Sequence, residues 1–149
     1  MKILVNGMNL LPPAKKGDAG YDLVCAEDVT LHNTNNKPTY VATECAMKLP
    51  EGYWGLILPR SSTGKKGIMV IPSVIDEGYT GPLFSYVYAF QDTVFIKKGD
   101  RIAQIVLMPL ITPAIKRTTK PLPRTDRGSS GFGSTDKQNA SSKSKTKKN

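Results

Sequence analysis

Residue types able to handle a phosphate ester gather in five short segments of this 149-residue chain. Arg127-Gly-Ser-Ser-Gly-Phe-Gly-Ser-Thr135 joins glycines, whose N–H groups can curl around phosphate oxygens, to hydroxyls, a guanidinium and one aromatic face, Phe132, on which a base can stack. In Pro59-Arg-Ser-Ser62 the proline fixes the chain direction where an apolar run ends, so the donors of Arg60 and Ser61 can point at an anion. Asp76 follows the apolar pair Val74-Ile75, a pattern that sets a carboxylate at a strand end beside a dry pocket. Asp22 follows Gly20 by two residues, and Asp100, Arg101 and Gln104 open another apolar run. Read singly, each segment also has a plain structural reading. The glycine-rich stretch is then a flexible tail, Asp76 caps a turn toward Gly78, and Asp22 sits in a turn or a salt bridge. Asp100, Arg101 and Gln104 form a polar turn, and Tyr79 is a half-buried strand aromatic.

The elements that must carry these segments are strands. Apolar residues come in short runs, Ile3 to Val5, Thr39 to Ala42, Tyr53 to Leu58, Ile68 to Ile71, Leu83 to Phe90, Thr93 to Ile96 and Ile102 to Leu107. They are rich in Val, Ile, Tyr and Phe, separated by Gly, Pro, Asn and Asp, and show no sustained 3.6-residue period. This predicts an all-β barrel or sandwich, with helix limited to a turn or two in Ser62 to Lys66. Pro113, Pro121 and Pro123 interrupt a polar, basic segment, predicting an extended arm able to span up to roughly 50 Å over its fifteen residues. The expected organisation is a β domain over 1–111, an arm carrying the glycine-rich segment over 112–136, and a disordered Lys/Ser-rich tail over 137–149.

One core is expected at this length. The formal net charge is +9, but Lys137, Lys143, Lys145, Lys147 and Lys148 lie in a final stretch without an acidic residue, so about half of the excess belongs to the tail. That tail reads as solubilising, with nucleic acid or a nuclear import receptor as the alternative partner. No window approaches the 18 or so apolar residues of a membrane span, and the N-terminus lacks the apolar core of a signal peptide. We therefore expect a soluble, cytoplasmic protein. Cys25 and Cys45 read as reduced packing residues, and His32 falls among asparagines in an expected turn, which argues against a histidine triad and against zinc.

In order and at these spacings, Ala19-Gly-Tyr-Asp-Leu23, Pro59-Arg-Ser-Ser62, Val74-Ile-Asp-Glu-Gly-Tyr-Thr-Gly81, Gly99-Asp-Arg-Ile-Ala-Gln104 and Arg127 to Thr135 resemble the five motifs of the trimeric dUTP pyrophosphatases (dUTPases). The resemblance covers residues 18 to 135. It implies a jelly-roll-like barrel with an extended glycine-rich C-terminal arm, a homotrimer with shared active sites, Mg2+, and hydrolysis of dUTP to dUMP and pyrophosphate. That activity limits uracil in DNA and supplies dUMP for dTMP synthesis.

The roles implied by this resemblance are specific. Asp76 orients and activates the attacking water. Asp22 holds Mg2+ through its water shell, a single outer-sphere carboxylate being enough when the phosphates supply other ligands. Arg60, Ser61, Ser62 and Gln104 contact phosphates, Asp100 and Arg101 form structural bonds beside them, and Tyr79 leaves no room for a 2′-hydroxyl. Backbone around Ser73, Val74 and Ile75 reads uracil. Arg127 takes the γ-phosphate, Phe132 covers the base, and Gly133 and Ser134 close on the phosphates. The chain departs from the family pattern in having Ser62 and Ser73 where Gly is usual, and in Pro72, which lacks an N–H. Ser130 and Asp136 also replace common glycines. Two other readings of the fold are a dCTP deaminase, which shares Arg-Ser-Ser but places a glutamate where this chain has Tyr86, and a regulatory nucleotide- or protein-binding protein with little catalysis.

Overall fold

The computed structural model describes residues 3–6, 10–11, 15–33 and 37–129. They form strands β1 (Leu4–Asn6), β2 (Leu10–Leu11), β3 (Gly20–Val24), β4 (Val29–His32), β5 (Thr39–Lys48), β6 (Tyr53–Leu58), β7 (Ile68–Val70), β8 (Ser73–Ile75), β9 (Pro82–Ala89), β10 (Thr93–Ile96) and β11 (Arg101–Pro109). All ladders are antiparallel, in sheets of order β1-β5-β9-β7, β10-β4 and β2-β3-β11-β6-β8. The architecture is all-β and jelly-roll-like, as expected. One 3-10 turn, Gly64–Lys66, falls inside the predicted Ser62 to Lys66 window and ends at Gly67, whose φ of 72° suits glycine.

Period-two burial makes the core. In β5 and β9 every second residue points inward, among them Val41, Cys45, Met47, Leu83 and Val87, and they meet Leu23, Ile57, Ile102 and Ile105 from the five-stranded sheet. Each large aliphatic side chain so buried contributes about 1.5–3 kcal/mol. A register shift in β11 between Arg101 and Ala103 buries the neighbours Ile102 and Ala103 together and leaves Arg101 exposed at the strand's start. A second irregularity, in β5 between Ala42 and Ala46, lets Thr43 bridge to Cys25 and donate its hydroxyl to Leu83 O at 2.8 Å.

Asp22 does not sit in a turn: Gly20, Tyr21, Asp22 and Leu23 form the body of β3, held between β2 and β11. The β5 strand runs on to Lys48 because Glu44 and Lys48 occupy its outward face, where polar residues break an apolar run without breaking a strand. His32 ends β4 opposite Thr93 instead of lying in a turn, since pairing with β10 carries the strand to that point. Cys25 and Cys45 are free and buried, the packing role expected.

The chain divides between Thr112 and Pro113 into two units. In the second, residues 113–129 carry no helix or strand, and Gly128 N donates to Thr125 O at 3.0 Å and Thr125 Oγ1 at 3.1 Å. Ser130, Phe132, Gly133, Ser134, Asp136 and the lysine tail lie outside the described residues. Among the described residues no helix is long and apolar enough to cross a membrane.

Candidate active site

Strand register brings four predicted residues to one place. Asp22 on β3 stands opposite Gln104 on β11, and Gln104 stands opposite Leu58, the last residue of β6. The chain then turns through Pro59 into Arg60, directly beside Asp22. Arg60 Nε donates to Asp22 Oδ1 at 2.6 Å, and an Arg101 guanidinium N–H donates to Oδ2 at 3.1 Å. Arg60 also reaches Ser62 Oγ at 3.2 Å and Arg101 O at 3.4 Å. Gln104 donates its amide to Pro59 O at 3.0 Å, tying the loop to the sheet. Gly20 makes this possible, because a Cβ there would collide with the Gln104 amide.

Two guanidinium groups on one carboxylate leave a net positive cluster. The Asp22 and Arg60 side chains are 17% and 23% exposed, so this charge is only partly screened, and the cluster suits an incoming anion. The salt bridge weighed for Asp22 is therefore its observed state. It remains compatible with an outer-sphere contact to Mg2+, since each carboxylate oxygen keeps a second lone pair that can accept from a metal-bound water. Among the described residues no three His, Cys, Asp or Glu side chains gather to hold a metal.

Ser73, Val74, Ile75, Asp76 and Tyr79 lie on or just after the strand at the far edge of the same sheet. β8 pairs with β6 on one side only, so the backbone of Ser73 to Ile75 presents an open edge. Ile75 packs against the core, Val74 is 61% exposed, and Ser73 Oγ donates to Ile71 O at 3.3 Å. Asp76 follows the strand end, as its sequence position suggests. It is exposed and not beside a dry pocket in the single chain, where β8 has a strand partner on one side only. Tyr79 N donates to Asp76 O at 3.1 Å, and Tyr79 Oη donates to Pro82 O at 2.9 Å, folding the ring over Gly81.

The two groups do not meet within one chain. Three strand spacings separate β3 from β8, and Asp76 lies about four residues along β6 from Leu58, so the backbones of Asp22 and Asp76 are roughly 19 Å apart. Arg127 is exposed in the second unit. Sequence reading overlooked two contributors. The Glu77 carboxylate accepts from Gly52 N at 2.6 Å, anchoring the segment after Asp76. Thr63, buried behind Arg60, accepts the Arg60 N–H at 3.0 Å, and its place three residues after Arg60 was the available signal of a side-chain-closed turn.

Burial pushes the Cys25 and Cys45 thiols above their ordinary range, in Cys25 against a lowering hydrogen bond to Glu27 O. They are held as neutral thiols, not poised as nucleophiles.

These features describe a jelly-roll-like β protein with a guanidinium–carboxylate cluster at one sheet position and an open Asp-bearing edge at another. The dUTPase family model matches residues 6–136, and the chain belongs to that family. It is 38% identical over 137 residues to the deoxyuridine 5'-triphosphate nucleotidohydrolase of Paramecium bursaria Chlorella virus 1, covering 91% of this chain and 95% of that protein. It is 41% identical over 125 residues to a Gag-Pro polyprotein of mouse mammary tumor virus, covering 84% of this chain but only 14% of the polyprotein. Among solved structures, a mutant dUTPase of Staphylococcus bacteriophage 80alpha with dUpNHpp superposes with a TM-score of 0.80 at 27% identity, covering 90% of this chain and 98% of the other. A mutant dUTPase from phage phi11 of S. aureus, described for its coordination of a structural Mg(II) ion, gives 0.72 at 26% identity over 80% of this chain and 98% of the other.

Proposed function

We propose that this protein hydrolyses dUTP to dUMP and pyrophosphate, using Mg2+, at sites shared between the subunits of a homotrimer. The observation that carries the reading is the Asp22–Arg60–Arg101–Gln104 cluster, a preassembled anion site in a member of the dUTPase family. Arg60, Ser61, Ser62 and Gln104 receive the phosphates, and Arg127, Gly133 and Ser134 of the arm close over them. Asp22 would hold Mg2+ through the ion's water shell, and the ion would supply charge neutralisation at the phosphates.

The edge backbone of Ser73, Val74 and Ile75 reads uracil, with Phe132 covering its face. Cytosine reverses the donor and acceptor pattern at positions 3 and 4, and each mismatched buried group costs about 1–3 kcal/mol. The Tyr79 ring lies under the deoxyribose and excludes a 2′-hydroxyl. Asp76 accepts a proton from water as its oxygen bonds the α-phosphorus, while the bond to the α–β bridging oxygen breaks and pyrophosphate leaves.

The separation of Asp76 from Asp22 favours sharing, since a subunit offering its β8 edge to a neighbour's Arg60 cluster completes both halves. An exposed aromatic face, with Tyr40, Phe84 and Tyr86 in mutual contact at 4.6–6.1 Å, suits burial between copies. We place the domain boundary near 111/112, with the arm to 136 as a closing element and the tail from 137 outside catalysis. The neutral buried thiols suit a reducing compartment such as the cytoplasm.

The test is a panel of dUTP, dCTP, UTP and dTTP with Mg2+, following pyrophosphate and ammonia separately. Pyrophosphate from dUTP alone is expected. Ammonia from dCTP overturns the reading in favour of deamination, and tight dUTP binding without any product overturns it in favour of a regulatory protein.

A further inference from the structure

We infer that Thr63 is a positioning residue that holds the Arg60 loop in its anion-receiving shape before nucleotide binds; the inference rests on the phosphate role proposed for Arg60. Thr63 is 2% exposed, although its side chain is polar. Its hydroxyl accepts the Arg60 N–H at 3.0 Å and donates to Ile102 O at 3.4 Å, while Thr63 N donates to Arg60 O at 3.0 Å. One side chain therefore joins the loop after β6 to the start of β11. Ile102 directly follows Arg101, which binds Asp22 through its guanidinium and accepts from Arg60 through its carbonyl. The backbone of both arginines is thus indexed to a single buried hydroxyl.

The two bonds themselves, from the Arg60 N–H and to the Ile102 carbonyl, aim the hydroxyl in its buried place. Remove the oxygen, and the Arg60 N–H and the Ile102 carbonyl lose a common partner in a place closed to water. The loop then relaxes, and binding must order Arg60, Ser61 and Ser62 around the phosphates at the moment of contact. Thr63, buried behind the loop, touches no nucleotide; it acts through Arg60.

Affinities of deoxyuridine and of the analogue dUpNHpp, measured for wild type, Thr63→Val, Thr63→Ser and Arg60→Ala, test the inference. Thr63→Val is expected to weaken dUpNHpp about tenfold, with deoxyuridine unchanged and Thr63→Ser close to wild type. Wild-type dUpNHpp affinity in Thr63→Val, alongside a clear loss in Arg60→Ala, overturns the role of Thr63 and leaves the phosphate reading standing. Equal loss of deoxyuridine affinity in Thr63→Val also overturns it, as a general structural defect. No loss in Arg60→Ala overturns the phosphate role of that loop. Should Thr63→Val not fold, Thr63→Ala carries the test, since it also removes the hydroxyl: about tenfold weaker dUpNHpp binding with deoxyuridine unchanged and Thr63→Ser near wild type supports the inference, and wild-type dUpNHpp affinity in Thr63→Ala overturns it.

Discussion

Gly81→Ala should erode discrimination between dUTP and UTP while sparing the Asp22–Arg60 cluster. Gly81 lies outside the left-handed region, so the backbone accepts alanine there and only the neighbouring side chain objects. A Cβ at this position would stand 2.5 Å from Tyr79 Oη, 2.7 Å from Cζ and 3.1 Å from Cε2. Ordinary contact requires the ring to retreat by about 1 Å, and a phenol is rigid, so it must swing as a unit. The bond to Pro82 O at 2.9 Å is strained or lost, which costs about 0.5–1.5 kcal/mol. Tyr79 is 37% exposed, so little core packing goes with it. We expect a melting temperature lowered by about 2–4 °C for each kcal/mol. In the site, a ring displaced by that amount opens space for one hydroxyl oxygen. Relief of that clash is worth about 1–3 kcal/mol, a roughly ten- to hundredfold fall in the ratio of kcat/KM for dUTP over UTP. Pyrophosphate release on both substrates, with thermal denaturation of each variant, measures both effects. Tyr79→Phe is the control, since it loses the Pro82 bond but keeps the ring, and it should retain most of the discrimination. A folded Gly81→Ala protein with an unchanged substrate ratio would refute the role of the Tyr79 ring.

Asp76→Asn should bind dUpNHpp almost normally and lose turnover by at least about a hundredfold, the scale of a missing general base. Mixing it with chains truncated after Thr112 should restore part of the activity, and proven mixed trimers that stay inactive would refute shared sites. The buried thiols make a separate prediction. Cys25 and Cys45 bind their protons more tightly folded than unfolded, so stability should be level below about pH 8.5 and decline above it as the unfolded thiols ionise first. Denaturation midpoints compared between pH 7 and pH 10 for wild type and Cys45→Ala check this. The decline should be shallower in the variant, and identical slopes would remove Cys45 from the explanation.

The strand content of β6, β9, β10 and β11 was legible in the sequence because an apolar run with turn residues at both ends has few other ways to bury itself. The strands β3 and β4 were not, and β8 was legible only as the apolar pair ahead of Asp76. Gly20-Tyr-Asp-Leu-Val24 and Ser73-Val-Ile75 carry too little apolar surface to announce themselves, and they are strands because β11 and β6 offer them backbone partners. The same distinction runs through the site. Residue types by themselves determined that Arg60, Asp22, Gln104 and Asp76 suit phosphate chemistry, because charge, donor geometry and proton affinity belong to the side chain wherever it lies. Their grouping was decided by tertiary structure alone. Strand register places Asp22 across from Gln104 and beside Arg60, turns an isolated carboxylate into the centre of an ion-paired cluster, and buries the Thr63 hydroxyl behind it. The same sheet order holds Asp76 three strands away. No spacing along a chain reports such a distance, since strand order is set by which faces can be buried together and not by sequence separation.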